Sequence, residues 1–145
     1  MSLSTLFSEH HVACDTAFAD AEAAGVDGQW ADAGPALQRF DAMMTAHFAA
    51  EEQTLFPAFE AKTGMTQGPT MVMRLEHEHM RALLARLSRA LTVKDATEFA
   101  GAAETLLVLM QQHNLKEERM LYPMCDRALD GDATVLSACG AQLEA

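Results

Sequence analysis

Apolar residues recur along this chain at alternating steps of four and three, the spacing that lines one face of an α-helix. Stretches of that pattern are divided by helix-stopping and turn-forming residues. A helix capped by Ser4 is predicted to run to Ala24, where Gly25 and Gly28 break it. A second spans 30–62, with Gly34-Pro35 near its start, where proline is tolerated. The run from Thr63 to Pro69 is the clearest loop. A third helix covers 70–91, and a short break follows with Thr92 or Asp95 as the next cap. The fourth covers 96–122, with Pro123 near its end. Beyond Asp130-Gly131-Asp132 there is room for one short helix. Four segments, each roughly 30 Å long if helical, with short connections predict an all-α, up-down-up-down four-helix bundle.

Composition agrees with a helical core. The 145 residues are 50% hydrophobic and 21% charged, with only 8 Gly and 4 Pro. That length suits one domain, 1–145, and its apolar share argues against disorder. The net charge of −11 disfavours nucleic acid and anionic membrane surfaces as partners. No apolar run approaches the length of a membrane span. The N-terminal stretch lacks the basic and apolar regions of a signal peptide, and three cysteines without a CxxC do not make a disulfide framework. A cytoplasmic location is therefore expected.

The apolar stripes carry the chemistry. In the fourth segment the stripe reads Phe99, Ala103, Leu106, Met110, His113, Glu117, Met120, Met124; in the second, Leu37, Phe40, Met44, His47, Glu51, Thr54, Ala58. The third gives Met73, His77, Met80, Leu84, Leu87, Leu91, and the first Phe7, His11, Cys14, Phe18, Ala21. Each segment thus places one histidine on its core face, and two add a glutamate one turn later. A buried imidazole or carboxylate without a partner costs several kcal/mol in order of magnitude. A lone core histidine is ordinarily satisfied by a hydrogen bond. Four histidines and two glutamates converging at one depth are satisfied together by metal.

An internal repeat strengthens the point. At a shift of 66 residues, His47-x3-Glu51-Glu52-x2-Leu55-Phe56-Pro57 lies over His113-x3-Glu117-Glu118-x2-Leu121-Tyr122-Pro123, and His11 lies over His77. One helical hairpin has been used twice, which suits two metals bridged by two carboxylates.

These motifs resemble the hemerythrin-like, or HHE cation-binding, domains across roughly residues 3–126. The resemblance implies a non-haem di-iron centre of two iron ions with an oxo or hydroxo bridge. His11, His47, His77 and His113 would be terminal ligands, and Glu51 and Glu117 the bridging carboxylates. The chain departs from the oxygen-carrying hemerythrins. Those resemble His-x3-His on the third helix, whereas Arg81 follows His77 by four. Their fourth helix uses an Asp five residues after its His, where this chain has Glu117 and Glu118 at four and five. A set of four His and two Glu is closer to relatives in nitrosative-stress and iron–sulfur repair functions. The implied ligand is a small molecule such as O2, NO or peroxide, in stress response or iron handling; whether the protein is an enzyme is left open.

Several residues carry two readings. His10 is about 100° from His11 on a helix and stays open as an additional ligand. His79 is expected to face solvent. Glu52 and Glu118, also off the ligand row, are expected to be solvated charges. Cys14 reads as a small buried hydrophobe, with a thiol ligand or redox partner near the metal as its other reading; Met44, Met80 and Met110 read as core filler, and Tyr122, matched to Phe56 in the repeat, as packing, with electron transfer as its other reading. A ferritin-like oxidase would need Glu-x-x-His on two helices, and only Glu76-x-x-His79 has that form. Zinc or manganese held for storage or structure is the main alternative, although tetrahedral zinc would leave two of the six side chains idle. A metal-free bundle whose polar residues satisfy one another is the remaining reading.

Overall fold

The computed structural model describes residues 1–144, and among them the chain is all-helical. Helix α1 runs Leu3–Val26, and α2 runs Trp30–Ala50. A π-helical turn, Glu51–Leu55, carries α2 without interruption into α3, Phe56–Thr63. Helix α4 spans Pro69–Val93 and α5 spans Ala96–Lys116. A second π-turn, Glu117–Leu121, leads into α6, Tyr122–Ala128, and α7 covers Ala133–Glu144. The long rods pair as α1 with α2 and α4 with α5, and the pairs pack on each other through α1–α5 and α2–α4.

The two π-turns occupy matching places in the repeat, and proline explains them. Pro57 and Pro123 lack the N–H that a continuing α-helix would use. The chain instead closes a wider turn, in which Phe56 N–H donates to Glu51 O and Tyr122 N–H to Glu117 O. The extra residue shifts the buried face. Regular periodicity continues the stripes through Thr54 and Ala58, and through Met120 and Met124. The structure buries Leu55, Phe56 and Phe59 in the first case and Leu121, Tyr122 and Cys125 in the second, and leaves Met120 49% exposed.

Three helix ends differ from the sequence-based expectation. Ser2, not Ser4, caps α1, its side chain accepting from Thr5 N–H. Ser4 instead donates to Asp126, which also accepts from Leu3 N–H and so pins the start of α1 to α6. Gly25 does not break α1. It lets α5 approach, because a Cβ there would lie 2.0 Å from the Phe99 ring. The fourth segment does not stop at residue 122 but continues as α6 to Ala128. Asp95 caps α5 as expected, accepting from Glu98 N–H. The C-terminal helix is present and longer than expected. It packs on α2 and the first π-turn, where Thr54 donates to Gln142 Oε1 at 2.6 Å.

Two apolar clusters fill the interior. One gathers Cys14, Phe18, Phe40, Met44, Phe48, Met80, Phe99 and Met110; the other gathers Leu3, Phe7, Leu55, Phe56, Phe59, Leu121, Tyr122 and Cys139. The stripe histidines and glutamates lie between them. No helix among the described residues is long and apolar enough to cross a membrane.

Candidate metal centre

All six stripe residues named above are buried: His11 and His47 are 4% and 3% exposed, His77 and His113 0% and 2%, and Glu51 and Glu117 0%. Carboxylates withdrawn that far from water are costly unless a cation or hydrogen bonds offset the loss. The histidines arrive from α1, α2, α4 and α5, one from each. Glu51 and Glu117 open the two π-turns, one turn beyond His47 and His113.

The contacts sort into two halves. His77 Nε2 lies 3.1 Å from Glu51 Oε1, and His113 Nε2 3.2 Å from Glu117 Oε1. Neither approach is aligned as a hydrogen bond. Glu51 Oε1, His77 Nε2, His113 Nε2 and Glu117 Oε2 are therefore buried polar atoms without a partner. Donor atoms of these four residues lie within 4.8 Å of one another, as do those of His11, His47 and Glu117 in the other half. Native proteins leave few buried polar atoms unsatisfied. Two imidazole nitrogens and two carboxylate oxygens without partners, on residues whose donor atoms cluster, fit a cation, and the N/O donor set suits iron, zinc or manganese.

Each imidazole is fixed from behind through Nδ1, leaving Nε2 to face inward. His11 Nδ1 lies 2.6 Å from Glu118, His77 Nδ1 2.6 Å from Glu52, and His113 Nδ1 2.8 Å from Glu76. His47 differs, since its Nδ1 faces His10 Nδ1 at 2.8 Å. A carboxylate behind a ligating histidine sets its tautomer and raises its donor strength. Glu52, half-buried, is thus not the solvated charge expected, while Glu118 is exposed as expected and backs His11 as well. Their repetition in both copies of the motif was the available signal. Arg81, four residues after His77, donates to Glu52 and Glu78. His79 is exposed, as expected.

Tyr122 is the second correction. Its ring packs beside Phe7, but its hydroxyl enters the site, 2.7 Å from Glu51 Oε2 and 2.9 Å from Glu117 Oε1, and donates its proton to the carboxylates. The same oxygen lies 3.2 Å from His11 Nε2 and 3.3 Å from His47 Nε2. Burial and the adjoining Glu117 and Glu51 charges push the phenol well above its ordinary range, so it stays protonated.

The electrostatics favour a charged cluster in the metal-free protein. Burial works against the Glu51 carboxylate, but the neighbouring His47 charge outweighs it and holds the carboxyl well below the usual range. Burial also opposes charge on His113, yet Glu117 outweighs it and lifts the imidazole to about 9. His11 and His77 are raised in the same way, burial again opposing, by Glu117 and Glu118 and by Glu51 and Glu52 respectively. His10, by contrast, is pushed down to about 4 by burial and by neighbouring His47 and His11.

A small cavity of about 10 Å³ adjoins this cluster, lined by His11, His47 and His113 on one side and by Met44, Phe48, Met80 and Met110 on the other. That is room for about one water-sized sphere.

All-helical rods, paired imidazoles and shared carboxylates define a cation-binding helical protein. The hemerythrin HHE cation-binding domain model matches residues 2–125, and the chain belongs to that family. Compared with curated proteins and with solved structures, the chain gave no match.

Proposed function

We propose that this is a hemerythrin-like non-haem di-iron protein that binds or reacts with a small ligand such as O2, NO or peroxide, in oxidative or nitrosative stress or in iron handling. The observation that carries the reading is the set of partnerless buried atoms on Glu51, His77, His113 and Glu117, beside a second group in which His11 and His47 share Glu117. Residues 1–145 are read as one domain, with the four long rods as an up-down-up-down bundle. The short connections at 27–29 and 94–95 and the pairing of the rods support that topology.

His11, His47, His77 and His113 would present Nε2 to the two ions, and Glu51 and Glu117 would bridge them. Iron there supplies an open coordination position and a reversible change of oxidation state. The chain supplies the rest. Glu52, Glu76 and Glu118 orient three of the imidazoles, and the phenol of Tyr122 holds a proton between the carboxylates. The small Met-lined cavity leaves room for about one water-sized ligand beside the cluster. Two carboxylates with neutral imidazoles balance half the charge of two divalent ions, which leaves room for an anionic bridge or ligand.

Replacing Glu51 or Glu117 by Ala is expected to abolish the coupled iron pair. A variant that still held two irons per chain with an unchanged spectrum would refute the bridging role. One observation favours a second reading, zinc or manganese held without redox chemistry: only the His77–His113 half has its donor atoms free of any partner. Metal analysis of protein purified without added metal distinguishes the two.

A further inference from the structure

The sequence repeat makes the two halves of the centre alike in their four histidines and two glutamates. It makes them unlike at other places, two of which supply hydrogen bonds to the stripe residues. Shifted by 66 residues, Tyr122 lies over Phe56, and Glu76 lies over His10. Both differences reach the histidines of one half, His11 and His47. The Tyr122 hydroxyl sits 2.7–3.3 Å from Glu51, Glu117, His47 and His11, in the midst of the atoms a cation would use there. Phe56 brings no hydroxyl to the other half, where four donor atoms have no partner. His113 is backed by the Glu76 carboxylate, but its counterpart His47 is backed by the His10 imidazole. The 2.8 Å between the two Nδ1 atoms requires that one of them lack a proton. A cation on His47 Nε2 puts that proton on His47, so His10 accepts through Nδ1 as a neutral ring.

We propose that the two cation positions are unequal, and that the one between His77 and His113 fills first and holds its ion more tightly than the one between His11 and His47. The inference rests on the dinuclear reading above and assigns two residues the role of setting an order. An ion entering between His11 and His47 must draw the carboxylates and imidazoles away from a neutral phenol already bonded to them. It then binds a His47 that lacks the carboxylate support given to the other three histidines. Altering the partner behind a ligating histidine changes metal affinity by about 10–100-fold, and a hydrogen bond to a buried charge is of comparable weight. A gap of at least about tenfold follows. One set of charges runs the other way, because Arg81 pairs with Glu52 and Lys116 with Glu76 on the favoured side. Those cationic side chains are 40% and 45% exposed, so solvent screens them, whereas the carboxylates they meet touch the imidazoles directly.

The test uses the whole chain stripped of metal and titrated with Co(II) alone. Calorimetry against a competing chelator is expected to resolve two binding steps at least about tenfold apart. After one equivalent, anomalous diffraction is expected to place the ion between His77 and His113. Tyr122→Phe and His10→Glu are each expected to tighten the second step more than the first and so narrow the gap. Coincident steps, a first ion between His11 and His47, or a gap that neither substitution alters would overturn the inference and leave the dinuclear reading intact. Fewer than two ions per chain at saturation would overturn both.

Discussion

Replacing Tyr122 by Phe in the metal-free protein isolates one oxygen atom in a fully buried place. The ring contacts survive, as Phe56 at the related position demonstrates by packing in the same cluster. The substitution removes the hydroxyl that donates to Glu51 and Glu117 at 2.7 and 2.9 Å. A hydrogen bond to a charged group contributes about 1.5–3 kcal/mol, and its loss leaves a buried carboxylate oxygen without a donor. For a chain of this length each kcal/mol moves the midpoint by about 3 °C, so the variant should melt about 5–10 °C lower. Urea unfolding followed by circular dichroism, with chelator present, gives the free energy directly. In the metal-loaded protein the penalty should shrink or reverse, since the ions then satisfy both carboxylates. A change below about 0.5 kcal/mol in the metal-free protein, within the range of ordinary surface substitutions, would refute the reasoning. It would mean that the hydroxyl is not bonded to the carboxylates.

Other consequences follow from neighbouring parts of the structure. Glu52→Gln and Glu118→Gln keep the shape but not the charge behind His77 and His11, and each should weaken metal binding by about 10–100-fold in a chelator competition. Gly25→Ala places a methyl against the Phe99 ring and should cost about 1–3 kcal/mol or more in the same unfolding assay. The three cysteines are buried and unpaired. Burial foremost pushes Cys14 and Cys139 up to about 12, so a thiol reagent at about pH 8 should find none of them in the native protein and all of them after unfolding. Between the ordinary thiol value of 9.0 and about 12 the folded state keeps protons that the unfolded chain releases. Stability should therefore be intact below that window and fall as pH rises through it.

Much of this centre is legible in the sequence because an α-helix returns to the same face at steps of three and four. His11, His47, His77 and His113 each fall on an apolar stripe, and Glu51 and Glu117 lie one turn beyond a histidine, so the structure gathers all six. What periodicity missed lies at or beyond the two π-turns. Five residues after Glu117, Tyr122 would sit about 140° away on a regular α-helix. A turn whose hydrogen bonds span five residues brings it round to the same face. The displacement of the buried stripe from Met120 to Leu121 has the same origin. The facing of His10 toward His47, and of Glu76 toward His113, depends on how separate helices meet, which no local pattern encodes.

The account stands on two irons held by this one set of side chains. Elemental analysis of protein purified without added metal, with an optical spectrum of the same sample before and after O2 and NO, tests it most directly. The prediction is close to two irons per chain, ferric bands of an oxo-bridged pair, and a spectrum that responds to at least one of the gases. Protein that carries no iron, or a single zinc, would contradict it.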